Sequence, residues 1–275
     1  LFSASVCPIA IVNGDDSVGR EIGEIRAKEG AETIFYALKS KADYFAIITD
    51  ASLKRTGCIL NLKDRLYRVC LHTMGEYNVY NALAAAACTE CLVQGQGIVE
   101  GLSGMQEVRG RLQNVGLYNG AEIFVDFAHT PDGLEKVLGA ARGFTCGKLW
   151  AVFGAGGDRD RAKRPLMGEA AAKEVDCLVV TSDNPRGEEP LEIIEEIMAG
   201  VRRAVSDDSR ITVEPDRAKA ISYALSNAAE DDVVLICGKG HETTQEIKGV
   251  KYPFDDREIV RRYVNSMKRG ENEIK

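Results

Sequence analysis

The sequence of 275 residues lacks an excess of positive charge, since 35 Lys and Arg residues stand against 42 Asp and Glu residues, a formal net charge of −7. Proteins that bind the phosphate backbone usually carry a basic surface, so this balance argues against a nucleic-acid partner. The sequence also lacks an apolar run of about 18 residues and a basic segment before its first apolar stretch. We therefore expect no membrane partner and no signal peptide, and a cytoplasmic protein.

Histidine is scarce, with three residues that stand far apart along the chain, His72, His129 and His241. No H-x-x-x-H spacing and no Ser-His-Asp or Cys-His order is present, so we predict no metal site formed by histidines and no hydrolysis by a triad or by zinc. The phosphate-binding motif G-x-x-x-x-G-K-[ST] is also absent from these 275 residues.

The eight cysteines are scattered, mostly inside apolar runs where a reduced thiol behaves as a small hydrophobic group. Cys88 and Cys91 alone form a C-x-x-C, in an alanine-rich segment with a helical pattern and without a second cysteine pair. We interpret these two cysteines as buried packing residues, with a metal or redox role as the alternative.

The length suggests about two domains. Residues 1–107 form a mixed segment, with apolar or alternating strand patterns and then an alanine-rich helical pattern; these lie at 9–16, 42–53, 56–73 and 78–95. Because the chain opens on Leu1 and enters a strand-like run within ten residues, we expect it to be a fragment of a longer protein.

Residues 108–275 alternate short β-branched runs with amphipathic stretches. The predicted strands lie in 121–127, 148–154, 176–183, 211–215 and 231–238, and the predicted helices at 131–142, 165–175, 190–204, 216–228 and 256–267. Parallel strands need crossover connections, so this order predicts an α/β fold with a mostly parallel sheet covered on both faces.

In an open α/β sheet, ligands bind outside the carboxyl ends of the strands. Polar and ionisable residues follow the predicted strands at Asp126–Pro131, Gly154–Asp160, Thr181–Arg186, Glu214–Arg217 and Cys237–Glu242. His129 and His241 fall in two of these loops; either alone would more often be a hydrogen-bonded structural residue than a catalyst.

The loops leave alternatives open. Gly154–Asp160 is interpreted as a tight structural turn or as a substrate-positioning loop. Its glycine pattern disfavours a nicotinamide-dependent oxidoreductase.

Asp183-Asn184-Pro185-Arg186 is interpreted as a plain turn or as part of a binding site. In a binding site Arg186 would bind a carboxylate through two hydrogen bonds, while Asp183 and Asn184 would hold an ammonium or amide. Glu242 could pair with a second ammonium.

Six ordered motifs carry a resemblance to a known family. They are GEYNVYNALAAAA, RGRLQNV, VDFAHTPDGLEKVL, FGAGGDRDRAKRPLMG, TSDNPRGEEPLEII and GKGHETTQ. In this order they resemble the Mur ligases of peptidoglycan synthesis. The resemblance implies that residues 1–107 are the C-terminal half of a central α/β ATPase domain, and that residues 108–275 are a C-terminal Rossmann-like domain that binds an amino acid. Leu1-Phe2 resembles a pair that follows a carbamylated lysine in these enzymes.

The resemblance also implies an activity. ATP with Mg²⁺ phosphorylates a carboxylate of the UDP-muramoyl dipeptide, and the amine of the incoming amino acid attacks this acyl phosphate to form an amide. The arginine at the end of DNPR resembles the arginine found there in members that select meso-diaminopimelate. This arginine would bind the extra carboxylate of that amino acid. A lysine-adding ligase and a catalytically silent binding or scaffold fragment stay open as alternatives.

The resemblance implies two sets of site residues, with the catalytic residues unassigned. Positions for the amino acid are Arg159, Asp183, Asn184, Pro185, Arg186, Gly238 and Glu242. Positions around ATP are Asn78, Arg111, Asp126 and His129. Gln113 and Phe127 depart from the family pattern, which holds an acidic residue and a tyrosine there.

Overall fold

A computed structural model of the chain separates into two compact units, residues 1–106 and residues 107–275. The structure describes residues 7–207 and 209–273, with side chains described up to residue 267. The Leu1-Phe2 pair lies outside the described residues.

From residue 7 onward, the first unit contains one mixed five-stranded sheet and three helices. Its elements are β1 (Ile9–Asn13), α1 (Ser17–Lys28), β2 (Glu32–Ala37), β3 (Tyr44–Ala51), β4 (Thr56–Leu62), β5 (Arg65–Leu71), α2 (Glu76–Thr89) and α3 (Gly95–Gly104). The sheet order is β1-β2-β3-β4-β5. The first three strands run parallel, and β4 and β5 follow β3 as antiparallel neighbours.

The core of the first unit lies between this sheet and α2. Val79, Leu83 and Ala86 of α2 are fully buried and pack with Leu60 of β4 and Leu71 of β5. Small alanine side chains let the helix backbone approach the sheet closely, and this explains the alanine-rich sequence of α2.

The described residues of the second unit form a six-stranded sheet, a small hairpin and five helices. Its elements are β6 (Gln113–Tyr118), β7 (Ala121–Asp126), α4 (Pro131–Arg142), β8 (Leu149–Phe153), α5 (Lys163–Glu174), β9 (Cys177–Val180), α6 (Pro190–Ala204), β10 (Ile211–Val213), α7 (Arg217–Asn227), β11 (Val233–Cys237), β12 (Thr244–Ile247), β13 (Val250–Pro253) and α8 (Asp256–Glu273). The sheet order is β10-β9-β8-β11-β7-β6, and only the β6–β7 pair is antiparallel.

Both faces of the large sheet are covered. Ile123, Val152 and Val234 pack against Ile221 of α7 and Val260 of α8. The alternate strand residues, which are also buried, point to the other face, where α4, α5 and α6 pack. From β8 the chain continues outward to β9 and β10. It then returns to β11, which pairs with β8 on the side opposite β9. The direction of the strand order therefore reverses between β8 and β11. The predicted α/β class with a mostly parallel sheet is confirmed.

Several elements agree with the sequence patterns, and others escaped them. The helices predicted at 131–142 and 190–204 have these bounds in the structure. The patterns missed α1, in which only Gly23 and Arg26 are buried, and the hairpin formed by β12 and β13. None of the helices among the described residues is both long enough and apolar enough to cross a membrane.

The interpretation of Cys88 and Cys91 as buried packing residues is wrong. Both thiols are exposed, because Cys88 lies on the outer side of α2 near its end and Cys91 in the turn that follows. An apolar sequence neighbourhood therefore did not report which side of the helix the cysteines occupy.

A buried ion pair joins α7 to α8 beneath the carboxyl ends of the strands. Arg217 donates to both carboxylate oxygens of Asp256 at 2.8 Å, and both side chains are fully buried. Its other donors reach the carbonyl oxygens of Ser182 at 3.2 Å and Cys237 at 2.9 Å. Burial alone would lower the pKa of Arg217, but the Asp256 carboxylate raises it. One guanidinium therefore ties together the two helices, the segment that follows β9 and the last residue of β11.

We predict that Asp256→Ala destabilises the second unit by about 3–5 kcal/mol, because it leaves the Arg217 cation buried without its anion. Trp150, the one tryptophan of the chain, lies in β8 and reports on unfolding of this unit in a urea titration. Lys136→Ala, which removes an exposed pair with Asp132, is the control and is expected to cost less than about 0.5 kcal/mol. Equal effects of the two substitutions would contradict this interpretation.

Candidate functional site

Loops that follow β7, β8, β9 and β11 line one cavity of about 280 Å³ at the carboxyl edge of the large sheet. It is lined by Phe127, His129, Gly154, Gly156, Arg159, Lys163, Asp183, Asn184, Arg186, Gly238 and Glu242. The structure thus brings together six of the seven residues predicted to hold the amino acid, and Pro185 lies between two of them in the chain. The position at the reversal of strand order is the one expected for a ligand site in an open α/β sheet.

The segment after β9 is held in a strained backbone conformation. Arg186 has φ of 51°, a left-handed value that is uncommon for a residue with a side chain. Its N–H donates to the Glu246 carbonyl oxygen at 3.0 Å, and its own carbonyl accepts from the Lys248 N–H at 2.6 Å. Through these bonds β12 forms a single parallel bridge with Arg186 and fixes the direction of its side chain.

The Arg186 guanidinium keeps spare donors. It donates to the Gly157 carbonyl oxygen at 2.7 Å, and its Nε lies 3.7 Å from the Glu246 carboxylate. A guanidinium has five N–H donors in a planar fork that matches a carboxylate, so a ligand carboxylate in the cavity can still be bound.

Glycine is required where the Gly154–Asp160 loop meets the Asp183–Arg186 loop. A Cβ on Gly157 would lie 1.9 Å from the Pro185 carbonyl oxygen, and one on Gly154 would lie 2.2 Å from that of Thr181. The Gly157 N–H donates to the Asn184 carbonyl oxygen at 2.9 Å. The glycines therefore serve close packing of the two loops, and substrate positioning by the Gly154–Asp160 loop stays a prediction.

Arg164, a buried residue that the sequence patterns did not single out, supports this pair of loops from α5. It donates to both carboxylate oxygens of Glu188 at 2.7 and 2.8 Å, and to the Gly156 carbonyl oxygen at 3.2 Å. Glu188 also accepts from the Asp158 N–H at 2.6 Å. Hydrogen bonds from Arg164 lower the pKa of Glu188 to about 2, so this carboxylate is charged at neutral pH.

Lys239 is the other residue beside the cavity that sequence reasoning did not single out. Its side chain is fully buried, and its ammonium donates to the Asn184 side-chain oxygen at 3.1 Å, the Glu242 carboxylate at 3.0 Å and the Thr244 carbonyl oxygen at 2.6 Å. Lysine is almost never fully buried unless it is paired, so a single lysine in a sequence gives no sign of burial.

Two carboxylates face the cavity with different environments. Burial raises the pKa of Asp183, although the cations of Arg217 and Lys239 oppose this. Burial would also raise the pKa of Glu242, but hydrogen bonds from Asn184 and Lys239 lower it below its ordinary value. Glu242 is therefore the carboxylate that is held ionised and able to meet an ammonium.

The cavity lining also contains cationic and aromatic side chains. Arg159 is exposed, and the Lys163 ammonium donates to the His129 carbonyl oxygen at 3.3 Å. The His129 ring lies against the Phe127 ring with a centroid distance of 4.7 Å. The cations of Arg159 and Lys163 are suited to an anionic group of a ligand, whereas Glu242 is suited to a cationic group.

The residues predicted around ATP fall in different places. Asn78 lies in α2 of the first unit, where its side chain donates to the Met74 carbonyl oxygen at 2.7 Å. In the second unit, the Arg111 guanidinium lies 5.1 Å from the centroid of the Phe127 ring. Asp126 is buried, and its two oxygens accept from backbone N–H groups of Leu112 and Ala128, each at 2.7 Å. Asp126 thus fixes the loop that presents Phe127 and His129.

Among residues 7–207 and 209–273 no group of three or more His, Cys, Asp or Glu side chains is arranged to hold a metal ion.

Two domain models of one family match the chain. The Mur ligase middle domain matches residues 1–89, and the Mur ligase, glutamate ligase domain matches residues 110–240.

Curated relatives of the chain carry one name, UDP-N-acetylmuramoyl-L-alanyl-D-glutamate–2,6-diaminopimelate ligase. The protein of Aquifex aeolicus is 40% identical over 261 residues, which are 95% of this chain and 52% of that protein. The protein of Caldanaerobacter subterraneus subsp. tengcongensis is 40% identical over 253 residues, which are 92% of this chain and 51% of that protein. The chain therefore spans about half the length of these relatives.

Solved structures agree with these matches. A structure of a UDP-N-acetylmuramoyl-L-alanyl-D-glutamate–2,6-diaminopimelate ligase is similar with a TM-score of 0.62 and 34% identity, over 94% of this chain and 53% of that chain. The UDP-N-acetylmuramate-alanine ligase of Thermotoga maritima gives a TM-score of 0.66 at 17% identity, over 95% of this chain and 52% of that chain, and shows the fold alone.

We predict that the Arg164–Glu188 contact stabilises the second unit in a pH-dependent way. The carboxylate has a lowered pKa in the folded state, so its contribution is present above the ordinary value near 4.5 and is lost as the pH falls through about 2. At pH 7 Glu188→Gln should lower the free energy of unfolding by about 1–3 kcal/mol. This difference from the unsubstituted chain should shrink between pH 4.5 and pH 2.

The measurement is urea unfolding followed by Trp150 fluorescence at several pH values. Glu192→Gln, at an exposed position of α6, is the matched control and should change the free energy of unfolding by less than about 0.5 kcal/mol at any pH. A constant difference between Glu188→Gln and the unsubstituted chain down to pH 2 would show that the charge of Glu188 plays no part.

Proposed function

The chain belongs to the Mur ligase family, and from this premise we propose that it is part of an ATP-dependent ligase that adds meso-diaminopimelate to UDP-N-acetylmuramoyl-L-alanyl-D-glutamate in the cytoplasm. The observation that carries this proposal is the single cavity lined by Arg159, Arg186 and Glu242. It places cationic and anionic groups around a volume suited to a small amino acid with charges at both ends.

The charges of meso-diaminopimelate fit this arrangement. The molecule has an ammonium and a carboxylate at each end, and lysine lacks the second carboxylate. Arg186 and the Asn184 NH₂ group offer donors to a carboxylate, while Asp183 and Glu242 offer acceptors to an ammonium. With lysine in the cavity, Arg186 would face no ligand anion, and this favours the diaminopimelate-adding activity over the lysine-adding alternative.

In this proposal the residues of the second unit bind and orient the amino acid. One carboxylate and ammonium are held by the Asp183–Arg186 loop and Glu242, so the amine at the other end is kept free to attack an acyl phosphate. Holding a nucleophile in a fixed direction lowers the activation free energy by several kcal/mol, because its orientational entropy is already lost when it binds. Arg159 and Lys163, which also line the cavity, would stabilise an anionic group.

Of the residues predicted around ATP, Asn78 lies in the first unit and the others lie in the second. Arg111 and His129 are exposed and accessible to a nucleotide, and a role for Asn78 stays a prediction. Buried Asp126 would act through the loop that it fixes. ATP supplies the phosphoryl group that activates the carboxylate. For Mg²⁺ the described residues present no donor set of three His, Cys, Asp or Glu, so we derive no step through the metal.

The catalytically silent binding fragment stays the second candidate. Because the 275 residues contain no G-x-x-x-x-G-K-[ST] motif, we expect this chain alone to bind the amino acid without forming the acyl phosphate. Binding of the amino acid is therefore the measurement to which this chain is suited.

We predict that the chain binds meso-diaminopimelate at least about 30-fold more tightly than L-lysine in calorimetric titrations, because the lost Arg186–carboxylate pair is worth about 2 kcal/mol or more. Arg186→Ala should abolish most of this preference. Lys251→Ala removes an exposed cation of β13 and is the matched control, with the preference unchanged. Equal affinity of the unsubstituted chain for both amino acids would refute the proposed substrate.

A further inference from the structure

The side chain of Asn184 can occupy its position in only one orientation. Its oxygen faces two donors, the Lys239 ammonium at 3.1 Å and the Glu246 N–H at 3.0 Å, and its NH₂ group faces the Glu242 carboxylate at 2.9 Å. The flipped amide would set its NH₂ group against two donors and its oxygen against a carboxylate. All three contacts would then be lost, so the network itself decides the orientation.

Lys239 is the charged member of this network. An ammonium has three donors and no acceptor, and here all three are used, on Asn184, Glu242 and the Thr244 carbonyl oxygen. Leaving such a group buried without partners is costly, so these three acceptors are held where the ammonium requires them. The ammonium lies behind the cavity wall, since Lys239 is fully buried and is not among the cavity-lining residues.

The network leaves two adjacent groups available to a ligand. The Asn184 NH₂ group has two hydrogens. Within the described part of the chain it donates one hydrogen bond, to Glu242 Oε2. Glu242 Oε2 accepts from both Asn184 and Lys239, while no described residue donates to Oε1. Asn184 therefore offers a donor and Glu242 an acceptor side by side in the cavity wall.

We propose that Lys239 is a positioning residue, which fixes the Asn184 amide with its NH₂ group beside Glu242 so that the pair meets the carboxylate and ammonium of the incoming amino acid. This inference rests on the proposed function for the identity of the ligand. The orientation of the amide rests on the network alone.

The test combines ligand binding with a direct reading of the amide. Lys239→Met replaces the ammonium by an apolar group of similar length, and Asn184→Ala removes the amide. Calorimetric titration of this chain with meso-diaminopimelate should show at least about ten-fold weaker binding for each variant. Lys219→Met, the same change at an exposed position of α7, is the matched control and should bind as the unsubstituted chain does.

The double variant separates positioning from general support. If Lys239 acts through Asn184, Lys239→Met should weaken binding by no more than about three-fold in the Asn184→Ala background. Independent effects would multiply to about 100-fold, and that result would overturn the proposal.

Nuclear magnetic resonance of the unsubstituted chain measures the orientation of the Asn184 amide directly, so this measurement does not depend on whether a variant folds. The Asn184 NH₂ protons should show nuclear Overhauser contacts to the Glu242 side-chain protons. The inference would be overturned if the Asn184 NH₂ protons showed nuclear Overhauser contacts to the Glu246 N–H proton instead. It would also be overturned if the nuclear Overhauser contacts of the Asn184 amide were unchanged in a folded Lys239→Met variant. If meso-diaminopimelate fails to bind the unsubstituted chain while the contacts to Glu242 are seen, the proposed ligand is wrong and the positioning of Asn184 by Lys239 stands.

Discussion

Buried cations beneath the strand ends are the constraint on which the candidate site depends. Lys239 and Arg217 are fully buried, and each is paired with a carboxylate and donates to a backbone carbonyl oxygen at an end of a strand, Thr244 of β12 for Lys239 and Cys237 of β11 for Arg217. A buried charge tolerates little displacement of its partners, because each lost hydrogen bond leaves an unsatisfied group in a medium of low polarity. The loops of the cavity are therefore held from below by buried ion pairs and hydrogen bonds.

The same constraint explains why the cavity can offer opposite charges a short distance apart. Lys239 donates to one oxygen of Glu242, and Glu242 also lines the cavity. Arg186 is fixed by its backbone bridge to β12, while its guanidinium keeps donors for a ligand. The glycines between these groups let the loops approach until main-chain hydrogen bonds form, as at Gly157 and Asn184. A ligand with charges of both signs would find its partners already oriented, which lowers the entropic cost of binding.

Sequence patterns predicted the parts of this arrangement that follow from repetition along the chain. Alternating apolar strands and helices indicated the parallel sheet, and the rule that ligands bind at the carboxyl ends of strands placed Asp183, Arg186 and Glu242 near one another. The burial of Lys239 could not be predicted, because its partners Asn184, in the loop after β9, and Thr244, in β12, are far apart in the sequence and no local pattern joins them. The hairpin of β12 and β13 was missed because Lys248-Gly249 is not the usual Asn-Gly turn, although both residues have the positive φ values that such a turn requires. Cys88 shows the opposite error, because its apolar sequence neighbourhood predicted burial and the residue is exposed.

The most direct test of the central claim is a crystal structure of this chain with meso-diaminopimelate bound. We expect one carboxylate of the amino acid within hydrogen-bond distance of Arg186 and the Asn184 NH₂ group, and the neighbouring ammonium within hydrogen-bond distance of Glu242. Lys239 should keep its three contacts beneath them. An amino acid bound outside this cavity, or inside it with Arg186 and Glu242 both turned away from its charged groups, would contradict the account.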